Sequence, residues 1–207
     1  MQNTALILQF VTMSTKRLEA FSDGVFAIII TIMVLEFKMP EGHDMEALRP
    51  LLPVLLSYIL SFILVANYWN NHHHTFHIAT EVNGRILWAN AHLLFWLSLT
   101  PIATIWMGEN ISYPLPIAVF GVLQLACALA YFLLSRALVD HHGPESEIAQ
   151  AFGAARKEMV SLAIYVIALP LAFLDSRIAF ACYFIVAAMW IVPDRRVENR
   201  LGVSGTN

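Results

Sequence analysis

Hydroxyl, carboxyl and imidazole side chains occur inside, or directly after, segments of this chain that are otherwise apolar. Ser22 and Asp23 lie about one turn inside the first apolar segment, and His73 and His77 lie four residues apart after the second. Histidines at this spacing share one face of a helix and suit a metal ion, but no matching cysteine or carboxylate pattern accompanies them. We therefore predict no metal site. Hydrogen bonds between helices or anchoring at the interface explain these histidines better, and proton sensing stays an open role.

Catalysis by these groups is disfavoured. Asp23 with nearby histidines is the only candidate for an intramembrane enzyme, and it lacks a plausible nucleophile. Cys127 and Cys182 both lie in apolar segments and are interpreted as small buried hydrophobic residues. No soluble domain that would hold a nucleotide is recognisable. We predict neither an enzyme nor a bound cofactor.

The composition is typical of a protein that faces lipid. Of 207 residues, 58% are hydrophobic and only 13% are charged. Soluble domains carry about 25% charged residues, which they need to cover a wetted surface. The net charge of −3 gives no broad basic face, so nucleic acid is not an expected partner.

Six apolar segments approach the length of about 20 residues that a helix needs to cross a bilayer. They are residues 18–37, 51–71, 86–107, 114–134, 159–174 and 178–192. Asp175-Ser176-Arg177 separates the last two and predicts a tight hairpin. Pro101 and Pro170 are expected kinks, and residues 140–156 form a linker. The predicted fold is all-α, a polytopic membrane protein with one six-helix domain over residues 1–207.

Basic residues indicate the orientation, because they concentrate in cytoplasmic loops. If both termini are cytoplasmic, nine of the twelve lysines and arginines lie on the cytoplasmic side, and only Lys38, Arg49 and Arg177 lie opposite. The linker at 140–156 is then cytoplasmic as well. Residues 1–13 contain no convincing cleavable signal, and translation that begins at Met13 is an alternative to Met1.

The first span has two distinct faces. At about 100° per residue, seven side chains fall close to one line, which we call the first-helix stripe: Arg17, Phe21, Gly24, Ile28, Thr31, Ile32 and Leu35. Ser22 and Asp23 point away from it. A carboxylate in the membrane is costly, so Asp23 is expected to face protein or water. Asn70 or His73 from the second span and Asn90 from the third lie at a similar depth, which predicts a polar cluster that ties the first three helices together.

These residues resemble a known family. Arg17-xxx-Phe21-Ser22-Asp23 is similar to the RxxxFSD signature of the potassium channels called transmembrane protein 175, and the resemblance covers essentially the whole chain. It continues in Ser61-Phe62 and Tyr68-Trp69-Asn-Asn-His72-His73, and then in Asn90 and Leu99-Thr100-Pro101-xx-Thr104. The resemblance implies that the signature residues hold helices together rather than contact the ion.

The resemblance also implies a pore. Animal members carry two six-helix units, so a chain with one unit implies a homotetramer whose first helices surround the conduction path. The constriction then falls at Ile28, with Thr31, Ile32 and Leu35 further along the same face. No TVGYG-type filter occurs in the chain, and an isoleucine ring offers no cation ligand. Only a modest preference for potassium over sodium is therefore expected.

The predicted function is passive conduction of potassium and other monovalent cations across the inner (plasma) membrane of a prokaryote. The alternative is a secondary transporter of a small solute. Such proteins often contain broken helices, which are not evident in this sequence although Pro101 and Pro170 are expected kinks. Paired repeats, which are frequent in transporters, are not evident in this sequence.

Overall fold

The computed structural model describes residues 14–40, 42–152 and 156–191, and it is all-helical there, which confirms the predicted fold class. Some predictions concern residues outside these ranges: the start at Met1 or Met13, linker residues 153–155, the end of the last span at 192, and the basic residues Arg195, Arg196 and Arg200.

The helices follow the apolar segments in order. Their bounds are α1 Thr15–Leu35, α2 Met45–Leu48, α3 Leu52–Ile78, α4 Gly84–Ser98, α5 Thr100–Glu109, α6 Pro114–His142, α7 Glu147–Phe152, α8 Arg156–Leu174 and α9 Ser176–Ile191. A 3₁₀ turn, Arg49–Leu51, joins α2 to α3. The Thr15 hydroxyl donates to the Thr80 carbonyl oxygen (3.4 Å). We call this end of the bundle the Thr15 end and the opposite one the Glu109 end.

Local signals fix where the helices begin and end. The Asn83 side chain caps α4 by accepting a hydrogen bond from the Ile86 amide (3.0 Å). Proline occupies the first turns of α3, α5 and α6, where no intrahelical N–H is needed. Gly143, which ends α6, has a φ of 89°, a conformation that favours glycine. The hairpin predicted at Asp175-Ser176-Arg177 is present between α8 and α9.

Most predicted ends lie within three residues of the observed helix ends, but three features differ more. The second span, α3, ends at Ile78 rather than at residue 71, because the buried side chains of Thr75 and Phe76 continue its packing face. The third span consists of two helices, α4 and α5, which meet at Leu99, next to Pro101. The predicted linker begins inside α6 and contains α7, whose Ile148 is buried. Pro170 lies inside α8 without ending it.

Among the described residues, five helical segments are long and apolar enough to cross a membrane. The last segment, α9, has 16 residues, which gives a length of about 24 Å against a hydrocarbon core of about 30 Å. The chain is therefore built as a membrane-spanning protein, and the count of six spans stays a prediction.

The packing places α1 at one side of the bundle. It lies against α3, α4 and α5, while α6 packs on α4, α5 and α8, and α9 packs between α8 and α3. Buried side chains such as Phe120, Tyr165 and Tyr183 fill the space among the later helices. The first helix is thus supported along one face only.

Candidate pore-lining helix and the polar cluster behind it

The first-helix stripe is exposed along its whole length. Ile28 is 58% exposed, and Phe21, Ile32 and Leu35 are also among the exposed large apolar side chains. Arg17, Gly24 and Thr31 are exposed as well, and a Cβ added at Gly24 would meet nothing within 4 Å. The chain's own helices therefore leave this stripe free.

The reverse face of α1 is buried. Phe26, Ile29 and Met33 are all nearly inaccessible, and Ile29 is 3% exposed beside the 58% of Ile28. The Thr31 hydroxyl, on the exposed side, donates within its own helix to the Ile28 carbonyl oxygen (2.9 Å). Its lone pairs stay available to a ligand in front of the stripe.

Ser22, Asn90 and His72 form a buried hydrogen-bonded cluster that joins α1, α4 and α3. Asn90 Nδ2 donates to Ser22 Oγ (3.0 Å), and Ser22 Oγ donates to the Leu18 carbonyl oxygen (2.9 Å). With its amide nitrogen used in this way, Asn90 Oδ1 accepts from His72 Nε2 (2.8 Å). The three side chains are at most 1% exposed. Polar groups so buried in a membrane protein are stabilised by satisfying one another.

Asp23 and His73 lie beside this cluster with other partners. Trp69 Nε1 donates to Asp23 Oδ1 (2.9 Å). His73 Nδ1 lies 2.8 Å from Glu19 Oε1, and its ring stacks on Trp69. The Asp23 side of α1 therefore meets α3. Asn70, expected in the cluster, is exposed on another side of α3.

Sequence reasoning missed His72, Glu19 and Trp69 as polar partners. Depth alone could not separate His72 from His73, because adjacent residues lie at nearly the same height. The helical register does separate them: His72 follows Val65 by seven residues and precedes Phe76 by four, on the buried apolar face of α3. His73 instead lies one turn after Trp69, on the side that meets Glu19.

The interruption between α4 and α5 lies behind α1. The Thr104 hydroxyl is 2.7 Å from both Ser61 Oγ and the Thr100 carbonyl oxygen, so it ties α3 to the first turn of α5. Met33 of α1 lies 3.9 Å from the same hydroxyl. These residues support the back of α1 and do not reach its exposed stripe.

At the Glu109 end, Lys38 Nζ lies 2.6 Å from Glu109 Oε1 and ties the segment after α1 to α5. The hydrogen bond and the charge of Glu109 raise the pKa of Lys38 above 10.5. An open cavity of about 410 Å³ lies beside this pair, with Glu36 and Tyr113 also in its lining. Across the described ranges, no group of three histidine, cysteine or acidic residues could hold a metal ion.

Similarity to known proteins fits this arrangement. The family model described as endosomal/lysosomal potassium channel TMEM175 matches residues 17–101. A potassium channel from Chryseobacterium sp. (strain P1-3) is 49% identical over 189 residues, which cover 91% of this chain and 98% of that protein. One from Chamaesiphon minutus is 28% identical over 190 residues, with 84% and 91% covered.

A solved structure shares the fold. It is described as the crystal structure of a lysosomal potassium-selective channel TMEM175 homolog from Chamaesiphon minutus, and it superposes with a TM-score of 0.74 at 28% identity. The match covers 86% of this chain and 96% of that one. The matched proteins are ion channels and not enzymes. By its RxxxFSD segment, its helical architecture and these relatives, the chain belongs to the TMEM175 family.

Proposed function

We propose that this chain is a potassium-permeable cation channel in which four copies of α1 surround the conduction path. One observation carries the proposal: the first-helix stripe is exposed from Arg17 to Leu35, while the reverse face of the same helix is buried. A helix held from behind and free in front is suited to face a central pore. The 49% identical relative from Chryseobacterium is a potassium channel by name.

Ile28 forms the narrowest ring of the proposed pore, with Thr31, Ile32 and Leu35 beyond it toward the Glu109 end. Four isoleucines provide no oxygen to replace the hydration shell of a cation, so passage there depends on pore width and wetting. The Thr31 hydroxyl is the nearest oxygen on the stripe. Such a pore favours potassium over sodium only modestly.

The proposed setting is the inner membrane of a prokaryote, with the Thr15 end in the cytoplasm. Lys16, Arg17 and Arg85 lie at that end, and Arg85 pairs with Asp140 (3.3 Å). Cytoplasmic flanks are enriched in such residues. Both termini are then cytoplasmic.

Recording from the purified tetramer in a planar bilayer tests the proposal. With potassium on one side and sodium on the other, we expect a current that follows the electrochemical gradient and reverses at a potential displaced modestly toward that of potassium. A flux that saturates with ion concentration would indicate a transporter, and no current above the empty bilayer would overturn conduction. Protein that stays monomeric would overturn the shared pore.

A further inference from the structure

The exposed face of α4 carries a histidine among aromatic side chains. Trp88 is 79% exposed and Phe95 is 55% exposed, and the exposed His92 lies on the same line of the helix. His92 follows the first residue of α4 by eight positions, about 12 Å along the helix. Ionisable residues at such depth face protein or water rather than lipid. Another protein surface is therefore expected to cover this face.

His92 offers a hydrogen-bond donor to that surface. Trp96 Nε1 donates to His92 Nε2 (2.8 Å). Because an indole only donates, Nε2 is the accepting nitrogen, and the proton of the neutral ring lies on Nδ1. The partner of His92 must therefore offer an acceptor.

Asn70 is exposed on α3 and lies at the same height. The hydrogen bond between His72 and Asn90 fixes the level of α3 against α4. The two helices run antiparallel, so two residues toward the Glu109 end lead from His72 to Asn70 and from Asn90 to His92. Within one chain, Asn70 is exposed on α3 and His92 is exposed on α4, on different flanks of the bundle. The amide oxygen of Asn70 is an acceptor.

A closed ring brings these flanks together. The Asp23 side of α1 meets α3 and the Ser22 side leads to α4. If α1 surrounds a fourfold axis, the α4 flank of one copy therefore meets the α3 flank of the next, a heterologous contact that closes on itself. Rotation about an axis normal to the membrane keeps every residue at its height.

The two edges of α1 differ in side-chain size in a way that fits this contact between neighbouring copies. Phe21 and Ile32 lie on the edge toward α4, and Ala20 and Ala27 lie on the edge toward α3, all exposed. In the ring, the bulky edge of one copy faces the small edge of its neighbour. Small residues permit close helix packing in membranes.

We infer that the Trp88–His92–Phe95 face of α4 is a subunit interface that packs on α3 of a second copy, with His92 Nδ1 donating to the side-chain oxygen of Asn70. The inference rests on the proposed function, because it needs copies arranged around α1. It adds the residues that join neighbouring copies away from the pore.

Disulfide trapping tests the contact. Cys127 and Cys182 are replaced by alanine, and two differently tagged chains are co-expressed, one with His92→Cys and the other with Asn70→Cys. Oxidation is expected to give a covalent dimer that contains both tags, since only thiols on adjacent backbones can join. In the matched control, exposed Ile167→Cys on α8 replaces His92→Cys and should give no such dimer.

The outcomes separate the interface from the channel. A tetramer by native mass spectrometry without the mixed covalent dimer, although both thiols react with maleimide, overturns the interface and leaves the proposed function standing. Absence of any tetramer overturns both. A mixed dimer from the His92→Cys and Asn70→Cys pair, with none from the Ile167→Cys control pair, supports both the interface and the proposed function.

A second measurement isolates the hydrogen bond. We expect His92→Leu to raise the apparent dissociation constant of the tetramer in detergent by roughly three- to tenfold per contact. Ser98→Ala is the matched control, since the exposed Ser98 hydroxyl donates within its own helix to the Phe95 carbonyl oxygen (2.7 Å). If His92→Leu and Ser98→Ala had the same dissociation constant, or if His92→Leu left the constant of the natural protein unchanged, this hydrogen bond would be excluded.

Discussion

The neighbours Ile28 and Ile29 show how one step along a helix separates two roles. Ile28 is 58% exposed on the first-helix stripe, and Ile29 is 3% exposed against the bundle. About 100° of rotation accounts for the difference. The same substitution at the two positions therefore tests conduction at one and folding at the other.

Ile28→Asn is expected to widen and wet the proposed constriction. The single-channel current should rise and the reversal potential should approach that of a pore that treats potassium and sodium alike, while Ile28→Trp should reduce conductance without loss of the tetramer. Bilayer recording measures the single-channel current, the reversal potential and the conductance.

Ile29→Asn is the matched control. It places an amide in a packed apolar site, at a cost of about 1–3 kcal/mol if the amide stays unpaired, so poor assembly is expected rather than altered conduction. An Ile28→Asn tetramer with unchanged current and reversal potential would remove Ile28 from the pore.

The buried cluster predicts an order of stability. Asn90→Ala leaves the His72 Nε2–H without its acceptor inside the bundle, at a cost of about 1–3 kcal/mol, and removes the donor to Ser22 Oγ, which keeps its bond to the Leu18 carbonyl oxygen. Asp23→Ala strands the Trp69 N–H, which is more exposed and regains water. Unfolding in mixed micelles is expected to show Asn90→Ala as the weaker protein, and neither variant should change ion preference. A larger loss for Asp23→Ala, or a loss of potassium preference in it, would contradict this placement.

At the scale of helices, apolar length predicts the elements well and their ends poorly. The hairpin at Asp175 and the interruption near Pro101 follow from local chemistry that is visible in the sequence. The extension of α3 to Ile78 does not, because polar residues such as His72 and Thr75 are buried there by contacts with other helices. Helical register places His72 on the buried face of α3, but the contacts that extend this face to Ile78 come from tertiary packing.

Gly108 predicts how closely two helices can approach. A Cβ at this position would lie 2.8 Å from the Val54 Cα of α3, whereas one at Gly84 would meet nothing within 4 Å. Backbone atoms cannot move aside as a flexible side chain can, so Gly108→Ala is expected to cost about 1–3 kcal/mol.

Unfolding in mixed micelles compares Gly108→Ala with Gly84→Ala as the control. The control should stay close to the natural protein, because its added methyl group enters open space. Equal stability of the two variants would show that α3 and α5 are not in this close contact.

At the scale of the whole molecule, the polar cluster forms within one chain, whereas the proposed pore forms only when several chains assemble. Asp23, Asn70 or His73, and Asn90 are predicted to lie at a common depth, whereas the structure joins Asn90 to Ser22 and Asp23 to Trp69. Asn70 stayed apart, because depth gives the height of a residue and not the side of its helix. The proposed role of Ile28 depends on copies that meet around α1, because its own chain leaves the side chain exposed.

The orientation of the molecule is the last prediction. Glu46 lies at the Glu109 end, and Glu145 lies in the turn after α6, at the Thr15 end; both are exposed. In a background without Cys127 and Cys182, single cysteines at these positions are expected to react from opposite sides of intact cells or spheroplasts. A membrane-impermeant maleimide should label Glu46→Cys from outside, and Glu145→Cys only after permeabilisation.

These sites leave intact the side-chain caps that Asp44 and Ser146 provide. Labelling of both from outside would contradict the topology, and a reversed pattern would place Lys16, Arg17 and Arg85 outside, against the charge rule on which the orientation rests.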